Sequence, residues 1–493
     1  MELKIKSLKW STGMLGAIVN KKTAEKLGIQ SRDRISIKKQ SPNSREIFTF
    51  VNTIGDTVKE SEIVVSSETQ ERMGLKSGQK VDVNLAQVPS SFLYIRKKMD
   101  DKKLSQKEID EIVTDIVNNS LSEPEIALFV SGMYENGMSF EETVFLIKAI
   151  LKSGNSLKLN YKIIVDKHSI GGIPGNRTTP IVVPICAAAG LIMPKNSSRA
   201  ITSAAGTADV IETIARVEFS LLELEKIVEK TNACMVFGGG WGMVPADSKI
   251  LQVEKMLKLD VEALLLSSIM SKKLAVGSNN ILIDIPYGKG AKIDKKKALR
   301  IKKQFEKLGR YFKRKIECVL TDGSQPIGHG IGPALELIDV INVLERKPDC
   351  PKDLEKKSLF LAGKIFELTK KSKKGQGIKL AKQILDSGRA FEKFKQIIEA
   401  QDGFLRKIRT SKFQKEIISN SSGEILEIDN KLINSLARIA GAPEDKFAGL
   451  FLCCHVGAKV KKGQTLLIIY SESKSRLKQA FNFYGQNKPI KIG

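Results

Sequence analysis

The chain has 493 residues, 42% of them hydrophobic, and 81 Lys and Arg stand against 55 Asp and Glu for a formal charge of +26. That length exceeds what one hydrophobic core serves, so several domains and a cleft between them are expected. No run of about 18 uninterrupted apolar residues, the length a membrane helix needs, occurs, and the leading MELKIKSLKW lacks the apolar core of a signal peptide.

A cytoplasmic protein without membrane association is therefore expected. Its six cysteines, without a CxxC pair, and three histidines give no zinc pattern and fit reduced thiols. The positive balance points to an anionic ligand or partner. The lysines lie mainly in helical runs such as DKKKALRIKKQFEKLGRYFKRK over 294–315, without interleaved aromatics suited to base stacking. Solvated helix faces are expected there, and no nucleic acid.

Residues 18–37 and 64–83 resemble each other at a constant offset of 46, IVNKKTAEKLGIQSRDRISI against VVSSETQERMGLKSGQKVDV. In each copy a short apolar strand leads into a charged helix that stops at Gly28 or Gly74, followed by a second alternating strand. Paired units of this kind close into a small barrel. From Ser90 to about Gly154 the periodicity becomes helical, with a serine cap at Ser105 and proline in the first turn after Ser122. Strand-like runs such as Lys162–Val165 and Ile281–Ile285 then alternate with helices, as in a parallel α/β sheet. The expected fold class is thus multidomain α/β. A β-rich barrel occupies 1–88. A helical domain takes 89–160 with parts of 180–235, and an α/β phosphate- and nucleotide-binding core takes 161–345. Its helical continuation spans 346–416, and an α+β domain fills 417–493.

Five segments carry candidate chemistry. In VDKHSIGGIPGNRTTPIVVPICAAAG a strand ends at Asp166 and an apolar helix starts near Pro180. Gly171, Gly172 and Gly175 would let backbone N–H groups approach a phosphate, Lys167 supplies charge, and Ser169 and Thr178 or Thr179 supply hydroxyls. A strand-to-helix turn that needs positive φ is the plainer alternative. In KNSSRAITSAAGTADVIETI, Ser198, Thr202, Ser203 and Thr207 can donate to phosphate or ribose oxygens and Arg199 can fork onto a phosphate; serine and threonine capping of short helices is the alternative. The glycines of GGGWGMVPADSK mark a turn before Pro245. Over 257–277 a single helix would set Asp260, Ser268 and Lys272 on one face, and Lys289 and Lys292 follow the strand of DIPYGKGAK. His168 is the only histidine in a candidate phosphate loop, and no nucleophile–histidine pairing is legible.

Read in order, KHSIGG, SSRAITSAAGTAD, PADSK, SSIMSKK, DGSQPIGHGIGPALE and VGAKVKKGQTLLI resemble the thymidine phosphorylase superfamily from Ile95 to the C-terminus. The wording SSRAITSAAGTAD and the N-terminal duplication are most similar to its AMP phosphorylase branch. The resemblance implies a helical domain and an α/β domain that close over substrate, and a homo-oligomer, dimer or larger. It implies phosphorolysis of a nucleoside 5′-monophosphate (AMP, with CMP and UMP as further substrates) to free base and ribose 1,5-bisphosphate. Inorganic phosphate is the co-substrate, and neither cofactor nor metal is expected.

Carried over residue by residue, the resemblance implies that Gly172, Ser198, Arg199, Ala200, Ile201, Thr202, Ser203, Thr207, Ser268 and Lys292 contact the nucleotide, with Asp260 as proton donor. Inorganic phosphate is expected on Lys167, Ser169, Ser198 and Thr207. Two departures weaken the alternative of a thymidine or pyrimidine nucleoside phosphorylase. The pyrimidine-holding arginine of those enzymes falls on Val253, and their glycine-rich SGRGL text is replaced. A non-catalytic RNA-binding protein is the alternative from another class. The related anthranilate phosphoribosyltransferases hold magnesium with an acidic pair near the glycine loop, and no such pair follows Gly175.

Overall fold

The computed structural model describes every residue except Ser7, Lys9, Thr12, Gly13, Met14, Pro42, Asn43, Arg45, Ile201, Thr202, Gly240 and Trp241. The candidates Ile201 and Thr202 thus lie outside the described residues. The chain forms two units, one of Met1–Gly154 with Pro245–Ser267 and one of Asn155–Val244 with Ser268–Gly493.

The first unit opens with a closed six-stranded barrel whose strands run in the order Glu2–Lys6, Glu62–Val65, Gly16–Asn20, Ile47–Ile54, Arg34–Lys39 and Lys80–Leu85. Alternate residues point inward, so Leu3, Ile5, Ile35, Ile37, Val81 and Val83 fill the interior. Each repeat supplies a seven-residue helix, Lys21–Leu27 or Ser67–Met73, ended by Gly28 or Gly74 at φ +66° and +58°, backbone that only glycine adopts at little cost. Helices Gln106–Asn118, Glu123–Asn136 and Phe140–Lys152 follow, each opened by a serine–glutamate capping box. Helix Pro245–Leu257 returns to this bundle. The sequence pointed to parts of 180–235 for that role, but helix Thr179–Ala188 lies in the other unit, where its largely apolar surface is buried.

In the second unit, strands Lys315–Asp322, Asn280–Tyr287 and Val165–Ser169 run parallel in that order. A parallel bridge from Ile164 to Ile192 brings Met193–Ser197 alongside, itself parallel to Ala233–Phe237. Helices Thr179–Ala188, Lys352–Leu368 and Arg389–Ala400 pack into the core cluster of this sheet. The carboxyl ends of the central strands carry Lys167, Ser169 and Ser198, the edge at which open α/β sheets bind ligands. The C-terminal region builds a four-stranded sheet, into which the core strand Gly330–Ile331 is recruited, and a three-stranded sheet, with helices Asn430–Ala440 and Lys474–Asn487. No described helix is long and apolar enough to cross a membrane.

One buried ion pair ties barrel to bundle. Arg34 Nη2 lies 2.6 Å from Glu125 Oε2, and that oxygen also accepts from Ser122 N in the capping box. Removing the cation strands a mostly buried carboxylate. Arg34→Met should cost about 3 kcal/mol of unfolding free energy, on the scale of broken buried pairs, in denaturant titration; a loss below about 1 kcal/mol would show the pair to be worth no more than a surface bridge.

Candidate active site

The strand Val165–Ser169 presents its side chains alternately. Asp166 and His168 face one side of the sheet, Lys167 and Ser169 the other. The sequence ended this strand at Asp166, but its pairing continues to Ser169 opposite Asp284, so Lys167 and Ser169 stand on rigid backbone.

Lys167 is buried, and its Nζ donates to Thr178 Oγ1 at 2.6 Å and Thr179 Oγ1 at 3.4 Å. Burial pushes its pKa down to about 7 against the pull of Asp284, while Lys357, Lys195 and Arg177 lower it further. Burial works to raise Asp284, yet Lys357, Lys167 and a hydrogen bond from Thr321 hold it below its ordinary value. On the other face, burial and the ammoniums of Lys273, Lys195, Lys272 and Lys167 hold His168 well below the usual imidazole range, so it is a neutral imidazole at pH 7.

The glycine loop folds tightly against its surroundings. Gly172 sits at φ +94°, and a Cβ there would meet Lys292 Cβ at 3.0 Å, so these two candidates are neighbours. Asn176 Nδ2 donates to Ser169 Oγ at 3.3 Å. Arg177, which the sequence reading passed over, clamps this loop to the next. Its Nη1 donates to Thr207 Oγ1 at 2.9 Å, its Nη2 to Ala205 O at 2.8 Å and its Nε to the buried Glu336 at 2.6 Å.

In the second loop, Asp209 Oδ2 accepts from Ala200 N and Gly206 N, each at 2.7 Å. A Cβ on Gly206 would lie 2.6 Å from Ser198 O, so Gly206 packs against the Ser198 backbone at the loop's neck, with Ser198 exposed. Arg199 is engaged otherwise than expected. Its guanidinium forks onto Glu212 at 2.7 and 2.8 Å, reaches Glu218 at 3.0 Å and lies over Phe237. Hydrogen bonding from Arg199 pulls Glu212 down to about 2. This fork faces carboxylates, so the segment's own contribution to an anion is backbone and hydroxyl. Ser203 Oγ donates to Ala205 O at 2.9 Å.

The helix expected over 257–277 is two. Pro245–Leu257 ends, and Glu262–Ala275 begins after a turn in which Lys258 takes φ +54°. Asp260 lies in that turn, exposed, and shares no helix face with the other two. Ser268 and Lys272 do share one, with Lys272 Nζ donating to Ser268 Oγ at 2.8 Å. Val253 is buried on the preceding helix. Lys292 is exposed, and Lys289 pairs with Glu427 at 2.9 Å.

Asp166, Lys195 and Lys273 were also missed. Asp166 closes the apolar run IIV, but Lys195 and Lys273 stand beside polar residues, and no local signal links the three. Among the described residues no group of three or more His, Cys, Asp and Glu could hold a metal ion.

Because Lys167 gives up its proton near pH 7 when folded but near 10.4 when unfolded, the unfolded chain binds more protons between those values, and stability rises with pH across that window. Lys167→Met should remove up to about 1.4 kcal/mol per pH unit of that rise, measured as the difference between parent and variant unfolding curves from pH 6 to 10. A pH-independent difference would mean that Lys167 keeps an ordinary pKa.

The comparisons with known proteins agree along the chain. Residues 93–154 match the model of the glycosyl transferase family helical bundle domain and 161–391 that of its a/b domain, while 425–491 match the pyrimidine nucleoside phosphorylase C-terminal domain. AMP phosphorylase of Pyrococcus horikoshii is 45% identical over 100% of this chain and 98% of its own, and that of Pyrococcus abyssi 46% identical over the same shares. The anthranilate phosphoribosyltransferase of Thermus thermophilus shares the fold, with TM-score 0.53 and 16% identity over 63% of this chain and 99% of that one. By this identity over its whole length, the chain belongs to the AMP phosphorylase family.

Proposed function

We propose that this chain catalyses phosphorolysis of AMP to adenine and ribose 1,5-bisphosphate, with inorganic phosphate as co-substrate and no other cofactor. Full-length identity to AMP phosphorylases carries the reading, and the cationic strand end beside two hydroxyl-rich loops supports it. Inorganic phosphate takes the site of Lys167, Ser169, Ser198 and Thr207, where paired N–H and O–H donors favour an anion. The nucleotide takes Gly172, the backbone and hydroxyls of 198–203, Ser268 and Lys292. The same reading carries a cytoplasmic homo-oligomer.

In the reaction a phosphate oxygen bonds to C1′ as the C1′–N9 bond breaks. The bonding pair leaves with N9, and a proton delivered to N7 lets adenine depart neutral. The phosphate dianion stabilises the oxocarbenium character of the ribose electrostatically. Asp260 is the proposed proton donor.

The purified protein should release adenine from AMP only with inorganic phosphate present, leaving adenosine and thymidine intact; release of thymine from thymidine would overturn the nucleotide reading. Asp260→Asn should lower kcat by about 10² to 10⁴ while changing the KM for AMP little. Turnover near the parent's would remove Asp260 from the role.

A further inference from the structure

Phosphorolysis as proposed uses Lys167, Ser169, Ser198 and Ser268 and leaves three buried charged groups behind them without a part. Asp166 is wholly buried, and its two oxygens are divided between two lysines. Oδ2 lies 2.6 Å from Lys273 Nζ, and Oδ1 lies 3.1 Å from Lys195 Nζ. Both lysines are themselves buried. Lys195 Nζ also donates to Lys167 O at 2.9 Å, and Lys273 Nζ to Asn196 Oδ1 at 3.3 Å. Asn196 Nδ2 in turn donates to Lys272 O at 3.3 Å.

Each contact joins a different site segment. Asp166 precedes Lys167 on one strand, Lys195 and Asn196 lead directly into Ser198, and Lys273 follows Lys272 on the helix that carries Ser268. A purely structural core at this point would be cheaper if apolar, since three desolvated charges return little net stability. The trio also leaves formally one cation in excess beneath the strand end, in a medium where charge is poorly screened.

We propose that Asp166, Lys195 and Lys273 are positioning residues that fix Lys167 and Ser198 for the incoming phosphate, with Lys195, through the Lys167 carbonyl, as the member that sets the anion subsite. This rests on the phosphorolysis reading for what the anion is, but not for whether it binds.

The test compares Lys195→Met, and the triple variant Asp166→Asn/Lys195→Met/Lys273→Met, with the parent full-length chain. Inorganic phosphate binding is read by titration calorimetry, kinetics by KM for phosphate and for AMP, and folding by thermal melting. The triple variant leaves no buried charge unpaired and is expected to melt near the parent. Both variants should bind phosphate at least about tenfold more weakly, a loss of about 1.4 kcal/mol, and raise KM for phosphate by a similar factor, with KM for AMP rising by less than KM for phosphate in Lys195→Met, which removes the ammonium that reaches the Lys167 carbonyl. A triple variant that melts like the parent and binds phosphate as tightly would overturn the proposal, as would equal increases in both KM values in Lys195→Met. If the parent binds phosphate yet cleaves no nucleotide, the phosphorolysis reading fails while calorimetry still decides the role of the trio.

Discussion

The arrangement of the α/β unit follows from one constraint, that charge placed inside a protein must be answered at hydrogen-bonding distance. Asp166 lies on a central strand with no solvent contact, and the two ammoniums that answer it come from a neighbouring strand and from a helix more than a hundred residues away in sequence. Satisfying that carboxylate fixes the relative places of three segments. The same segments carry Lys167, Ser198 and Ser268, so a requirement of the core becomes an alignment of those groups. Preorganisation of this kind is what electrostatic catalysis needs, because donors already in place spend nothing on reorientation as charge moves.

A second network does the same for the loops. Arg177 reaches Glu336, Thr207 and Ala205 at once, while Asp209 gathers the backbone N–H groups of Ala200 and Gly206. Asn434 Oδ1, from the C-terminal region, accepts from Ala204 N at 3.0 Å. The hydroxyl-rich loop is therefore held by partners from three parts of the unit. Burial first, and then the crowd of cations near the strand end, keeps His168 neutral and lowers the pKa of Lys167.

Much of this was legible in the sequence where the signal is local. The repeat at offset 46 and its two glycines foretell the paired helices of the barrel, and the serine caps mark the bundle helices, because capping and left-handed glycine are decided within a few residues. The glycine and serine-threonine loops were found by composition. What was not legible depends on partners distant in sequence. Nothing within SSRAITSAAGTAD reveals that Arg199 turns to Glu212 and Glu218, since those acids read as ordinary helix and loop residues. Asp260 was placed on a helix because eight and four residues fit whole turns, but the left-handed turn at Lys258 interrupts that periodicity. The trio around Asp166 was invisible for the same reason, as its members stand 29 and 107 positions apart.

The central claim is that phosphate, and not water, takes the ribosyl group of a nucleotide. Phosphorus NMR of the purified protein with AMP and inorganic phosphate tests it most directly. The account predicts that the inorganic phosphate signal falls as AMP is consumed and that two new resonances of equal area grow, one from the 5-phosphate and one from the anomeric phosphate of ribose 1,5-bisphosphate. Ribose 5-phosphate as the sole sugar product, with the inorganic phosphate signal unchanged, would contradict it.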